Sequence, residues 1–167
     1  MSGVPSAVEI RPVTIDDLET LIDIYLDTAR HHAALDPEIW HVPSRADVAG
    51  RLLPRIEGRG STSDYVAAIV DGEMAGSASV HLDDLPASGN MLRAVRSAEF
   101  GVSVLAAYRG RGIGKARIAH LERWAAEHGA ERMILNVSSA NEGAIRLYRE
   151  LGYRDYDRAM LKPLARP

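Results

Sequence analysis

Three glycines at alternate positions, Gly110, Gly112 and Gly114, stand among four cations, Arg109, Arg111, Lys115 and Arg117, in the stretch YRGRGIGKAR (Tyr108–Arg117). Such a turn suits an anion. Glycine lets backbone N–H groups approach a phosphate with no Cβ in the way, and a helix that opens on the turn adds N–H groups without internal partners and about half a positive charge. The strand-like AEFGVSVL before the turn and the helix-like IGKARIAHLERWAAEHG after it, closed by Gly129, supply that setting. Two familiar phosphate patterns fail here. A dinucleotide fingerprint would need a third glycine where Lys115 stands, and a P-loop would need glycine at Arg109 and a hydroxyl at Ala116. A nicotinamide enzyme and a nucleotide triphosphatase are therefore unsupported, and a solvated surface turn stays open beside the anion cradle.

Other chemistries are bounded by composition. The chain has no cysteine, which removes disulfides, a thiol nucleophile, thiolate zinc sites and iron–sulfur clusters. Its histidines, His31, His32, His41, His81, His120 and His128, fall into no H-E-x-x-H-like spacing. His120 and His128 share one helix but lie beyond the i,i+4 reach of a common ion. No metal is expected unless distant elements assemble a site. A net charge of −3 gives no electrostatic reason to expect nucleic acid as a partner. No apolar run nears the roughly 20 residues of a membrane span, so no membrane partner is expected, and MSGVPSAVEI lacks a charged-then-apolar signal pattern. The expectation is a soluble, cytoplasmic protein.

At 167 residues and 46% hydrophobic, the chain suits one domain, residues 1–167, with a real core. VEIRPV (Val8–Val13) alternates like a half-buried strand. Thr14 and Asp17 resemble a capping box that opens a helix to about His32, with Leu18, Leu21, Ile22, Tyr25 and Leu26 inward. DPEIWHVP breaks the pattern, and Ser44 and Asp47 start a second helix that ends or is interrupted near Pro54. DYVAAIV and EMAGSASVHL read as strands joined by Asp71-Gly72, a two-residue hairpin signal. A loop over Asp83–Ser97 is long enough to suggest use. The strand Ala98–Leu105, the glycine turn, the third helix and a strand RMILNVS follow. Ser139 and Glu142 can cap a fourth helix with Ala144, Leu147, Tyr148 and Leu151 on one face, ended by Gly152, and YRDYDRAML reads as a closing strand or a pair of short ones. The order β-α-α-β-β-β-α-β-α-β implies an α/β fold, one mixed sheet flanked by helices.

That order, with two motifs, resembles the GNAT superfamily of acetyl-coenzyme A-dependent N-acetyltransferases. Arg109-Gly110-Arg111-Gly112-Ile113-Gly114 matches the family's [QR]-x-x-G-x-[GA]. Asn141, Ala144, Leu147, Tyr148, Gly152 and Tyr153 match its N-x-x-A-x-x-[LF]-Y-x-x-x-G-[FY]. The resemblance implies acetyl-CoA as cosubstrate, with the N–H groups from Arg109 to Lys115 around its pyrophosphate. It implies a sheet splayed at its centre, with the pantetheine arm paired to the backbone of Val102, Ser103 and Val104 as an extra strand would be. Asn141 is a further candidate cofactor contact, since Ser139 can cap the helix in its place.

For chemistry, the resemblance implies a backbone N–H near Val104 polarising the thioester carbonyl, and Tyr148 giving a proton to the leaving thiolate. A core aromatic is the plainer reading of Tyr148. Glu99 is the candidate base, through a water chain, or else a salt-bridging carboxylate at a strand end. Burial would have to make it basic enough for an amine that holds its proton up to about pH 10. Enzymes of one subfamily, which acetylate ribosomal-protein N-termini, carry glutamate where Asn136 stands, and an amide takes no proton. The implied partner is a small-molecule primary amine, attacking directly in a ternary complex because no thiol is present to carry the acyl group. A protein lysine or N-terminus, or a non-catalytic acyl-CoA-binding module, are the alternatives, and a homodimer is left open. The acceptor would enter between His31–Arg51 and Asp83–Ser97. There Asp36, Glu38, Asp83 and Asp84 suit a cation, Arg93 and Arg96 suit a carboxylate, and Trp40 walls a pocket or fills the core.

Overall fold

The computed structural model describes residues 8–86, 89 and 91–164. The chain opens on a short strand, β1 (Glu9–Pro12). Asp17 then turns it: the carboxylate accepts from the Thr14 N–H at 2.8 Å and pairs with Arg11 at 2.8 Å, starting a 3-10 turn that runs into α1 (Leu18–Leu35). The bond from Arg11 above all, with help from Thr14, lowers the Asp17 carboxyl to about 2. Helix α2 (Arg45–Glu57) begins with the Ser44 hydroxyl accepting from the Asp47 N–H at 3.2 Å. Val48, Leu52 and Ile56, one per turn, form its buried stripe. Pro54 neither ends nor interrupts it. The N–H that proline lacks would have served Gly50, which is exposed, so water can take that carbonyl.

Strands β2 (Ser63–Val70) and β3 (Glu73–Leu82) form the hairpin signalled by Asp71-Gly72, whose φ values of 52° and 84° are the left-handed pair of a type I′ turn. Strand β4 (Ser97–Val104) lies antiparallel to β3. Helix α3 (Ile113–Glu127) then crosses over to β5 (Arg132–Ile134), which is parallel to β4. The sheet order is β1-β2-β3-β4-β5, the expected mixed sheet with helices on it.

The two faces of β2 separate the layers. Tyr65 and Ala67 pack with Leu21, Ile22 and Leu26 of α1 and with Val48, Leu52 and Ile56 of α2. Ala68 and Val70 pack instead with Ala75 and with Ile113 at the start of α3. Ile24, outside the expected stripe, is also buried, because α1 reaches β3 and β4 as well as α2.

The chain divides into two compact units between Asn136 and Val137. The second holds α4 (Glu142–Glu150), ended by Gly152 at φ 92°. Its cap is Asn141, whose Oδ1 accepts from the Ala144 N–H at 3.2 Å, rather than Ser139. The expected closing strand over YRDYDRAML does not form, and among the described residues no strand follows α4. Tyr153, Tyr156 and Met160 recur at helical spacing, and Asp155 and Asp157 would share a strand face with Tyr153, so no apolar face is available to bury.

Candidate active site

Strand β5 is shorter than RMILNVS suggested, and that shortness opens the sheet. It pairs with β4 only at Ser97↔Arg132, Ala98↔Met133 and Glu99↔Ile134. From Gly101 to Val104, β4 runs on with β3 as its one neighbouring strand among the described residues. Strand pairs alternate which residues face which neighbour. The Leu105 N–H donates to Ala75 O at 3.0 Å, so odd-numbered peptides face β3 and those of Val102 and Val104 face the open edge. Ser103 does not: its carbonyl faces β3, where it accepts from Arg117 Nη1 at 2.8 Å.

The open edge leads into the glycine turn. Gly110 and Gly112 sit at φ 77° and 78°, a conformation that favours glycine, and Gly112 is the residue from which α3 begins. The first helical bond of α3 comes only at the Ala116 N–H to Gly112 O, 3.3 Å, so the N–H groups of the first turn precede the ladder. The turn thus has the local form of an anion cradle.

The four cations around the glycines have different surroundings. Arg117 is fully buried and donates from Nη1 to Ser77 O at 2.7 Å as well as to Ser103 O, pinning α3 across β3 and β4. Gly76 makes the room: a Cβ there would lie 2.6 Å from that nitrogen. Arg109 turns back, pairing with Asp27 of α1 at 2.9 Å and donating from Nε to Val104 O at 3.1 Å. Asp27 also accepts from the Ala106 N–H at 3.2 Å. Arg111 lies over the Tyr108 ring, 5.3 Å from its centre, and like Lys115 is exposed. Arg109, Arg111 and Lys115 are therefore the cations of the turn that reach solvent beside the cradle, Arg109 with its guanidinium held by Asp27.

Glu99 stands at the fork, in the last residue pair before β4 and β5 part. Its Oε1 accepts from Asn136 Nδ2 at 3.1 Å, and its Oε2 lies 4.0 Å from His81 Nε2. The burial that would make it more basic is only partial, since 40% of the side chain is accessible. His81 is the residue that sequence reasoning missed. No motif marks it; only the register His81↔Glu99 brings it beside the fork. Together with Asp83, 3.4 Å from His81 Nε2, these residues make the one His/acid cluster of metal-ligand type found among the described residues.

The acceptor segments are described only in part, because residues 87, 88 and 90 of the loop lie outside the described residues. Trp40 is not a core residue. It is 41% exposed and stacks on His32 at 4.9 Å. Desolvation, then His31 and Arg109, holds the His32 imidazole below its ordinary pKa. Tyr148 and Asn141 belong to the second unit. Tyr148 meets the Tyr153 ring edge-on at 5.9 Å, and Asn141 is engaged as the cap.

Comparison with known proteins agrees with this architecture. Streptothricin acetyltransferase from Streptomyces lavendulae is 33% identical over 89 residues, 53% of this chain and 43% of that protein. An uncharacterized N-acetyltransferase of Bacillus subtilis, YdgE, is 40% identical over 58 residues, 35% of this chain and 37% of that protein. The chain spans less than half the length of these two relatives. Among solved structures, a mutant of the BH1408 protein of Bacillus halodurans superposes with a TM-score of 0.85 at 19% identity, covering 94% of this chain and 99% of that one. The aminoglycoside N-acetyltransferase AAC(6')-Iy in complex with CoA gives 0.68 at 21% identity, covering 98% and 99%. The family model matches residues 19–153, from α1 through α4, and the chain belongs to the acetyltransferase (GNAT) family.

Proposed function

We propose that this chain transfers an acetyl group from acetyl-CoA to a primary amine of a small molecule, by direct attack in a ternary complex. The observation that carries the reading is the open edge of β4 running into a left-handed glycine turn. That edge fits an extended amide-bearing arm, and the turn fits a pyrophosphate. Acetyl-CoA, when bound, supplies a thioester carbonyl whose carbon–sulfur bond breaks as the carbon–nitrogen bond forms.

The chain's own groups do the rest. Backbone N–H groups from Arg109 to Lys115 hold the pyrophosphate, with Arg111 and Lys115 contributing charge. Val102 and Val104 pair with the arm, Ser103 only spacing them, and an N–H near Val104 faces the carbonyl oxygen as it gains charge. Tyr148 gives a proton to the departing thiolate, and Glu99 draws one from the amine. Asn141 acts through its cap, fixing the start of the helix that carries Tyr148. The absence of cysteine favours direct attack over an acyl-thiol enzyme. The names of the streptothricin and aminoglycoside acetyltransferases support a small cationic amine as acceptor.

A turnover screen tests this: acetyl-CoA with polyamines, aminoglycosides, amino acids and lysine peptides, read by thiol release. Thiol release with small amines is the expected result. Release with peptides alone would move the acceptor to protein, and tight acetyl-CoA binding without release would leave a binding module.

A further inference from the structure

We propose that His81 carries away the proton that leaves the acceptor amine, with Glu99 passing it on and Asp83 holding the resulting imidazolium. This rests on the acetyl-transfer reading and adds a residue to it.

Placement is the first support. His81 and Glu99 are register partners on β3 and β4, so their side chains lie side by side on one sheet face. Tyr65, two strand positions from Ser63, shows which face. Ser63 is the register partner of His81, and Tyr65 packs under α1 and α2. The pair thus stands on the face those helices cover, at the point where β4 and β5 separate. On the same face Gly101 follows Glu99, and a Cβ built there would meet nothing within 4 Å, which leaves space for a reacting group beside the carboxylate.

Orientation is the second support. Asn136 occupies Glu99 Oε1, and Oε2 is the oxygen nearer His81 Nε2, at 4.0 Å. The same nitrogen lies 3.4 Å from Asp83 Oδ1. From β2 the facing residue is the uncharged Ser63, so the charged groups facing His81 are Glu99 from β4 and Asp83 from the following loop. The two carboxylates therefore flank one edge of the imidazole, the edge that carries Nε2.

The chemistry needs such a group. An accessible carboxylate is a weak base toward an ammonium, whereas an imidazole suits proton transfer near neutral pH. The ammonium N–H bond breaks and its electron pair stays on the nitrogen that attacks. The proton passes by Glu99 and one bridging water to the imidazole, since 4.0 Å is too long for direct transfer, and an N–H bond forms there. With 56% of its side chain accessible, His81 returns that proton to solvent. Nothing is oxidised or reduced.

Two measurements test this. The first follows kcat/KM against pH, with the best amine from the turnover screen, for wild type, His81→Gln, Asp83→Asn and His81→Ala with added imidazole. His81→Gln should lower kcat/KM about 100-fold near neutral pH, with recovery as rising pH frees the amine. Imidazole should restore His81→Ala at least about tenfold. Asp83→Asn should lower kcat/KM by a smaller factor than His81→Gln does, and acetyl-CoA affinity should hold in all three variants. Parallel profiles for wild type and His81→Gln would overturn the proposal, as would a wild-type rate abolished by chelator and restored by zinc, which would make the cluster a metal site. The second records the ring 15N signals of His81 at one fixed pH without any substrate. They should change in both Glu99→Gln and Asp83→Asn, and signals unmoved in both overturn the relay even if acetyl transfer is confirmed. Ring signals that respond to both carboxylates, in a protein that acetylates no amine, would instead sink the acetyl-transfer reading.

Discussion

A thiolate leaves more readily when a proton meets it, and Tyr148 is the group assigned to bring that proton. Its ring already has a structural task, packing edge-on against Tyr153 at 5.9 Å. Phenylalanine would keep the ring and remove only the hydroxyl, which separates the two tasks. Tyr148→Phe should leave acetyl-CoA affinity and thermal stability near wild type while kcat falls about 10- to 1000-fold. Calorimetry and pre-steady-state thiol release would check it, and an unchanged chemical step would leave Tyr148 with packing alone. At this scale the residue types of the site were legible and the directions of their side chains were not. Arg109 reads as a phosphate ligand in a linear sequence. That Asp27 sits one helix away, at 2.9 Å from the guanidinium, is a tertiary fact. Asn141 likewise matched a family position, but its geometry shows a cap, since an asparagine two residues before a helical glycine competes well with Ser139 for that place.

At the scale of elements, the glycine turn of the site and the corner that leads into α1 are two local devices, and each has its own test. The glycine turn depends on backbone conformation rather than on room. A Cβ at Gly112 would meet no atom within 4 Å, but φ is 78°. Alanine there should cost about 1 to 2 kcal/mol of backbone strain and let the turn relax away from the cradle. Gly112→Ala should therefore weaken acetyl-CoA binding at least about tenfold, about 1.4 kcal/mol, in a protein that still folds. Equal affinities by calorimetry would remove the turn from the cofactor site. The other device is Asp17, which ties β1 to α1. Its folded pKa of about 2 lies below the ordinary carboxyl value of about 3.9. The unfolded chain therefore takes up the proton first, so this contribution is full above about pH 4 and is lost as pH falls toward 2. Asp17→Asn should lower Tm at pH 7 and narrow toward wild type below pH 3; a difference independent of pH would mean that the carboxylate charge is not what holds the corner. The hairpin, the α2 cap and the glycine turn were all readable, because each is fixed by neighbours in sequence. The shortness of β5 and the missing closing strand were not, because a strand exists only where a partner and a buried face are supplied.

Across the first unit as a whole, one carboxylate ties the helix that covers the sheet face to the turn that follows the open edge. Asp27 of α1 holds the Arg109 guanidinium and the Ala106 N–H together, and Arg109 in turn holds Val104 O at the end of β4. The α1 helix also packs over the face that carries His81 and Glu99, so order at the turn and order at the fork share a support. Exposed ion pairs contribute little to stability, about 0 to 1 kcal/mol, but a pair that sets a loop can matter more to a ligand than to folding. Asp27→Ala should therefore change the unliganded Tm by little while weakening acetyl-CoA about five- to tenfold. The rise in Tm produced by saturating acetyl-CoA should shrink in step, because ligand stabilisation follows RT ln(1 + [L]/Kd), about 2.7 kcal/mol at 100-fold excess over Kd. Two results would count against this. A large drop in the unliganded Tm with unchanged affinity would make Asp27 a stabiliser of α1 only. Tighter binding in the variant would mean that Arg109, once released, grips the anion itself, and that Asp27 restrains a phosphate ligand rather than shaping the turn.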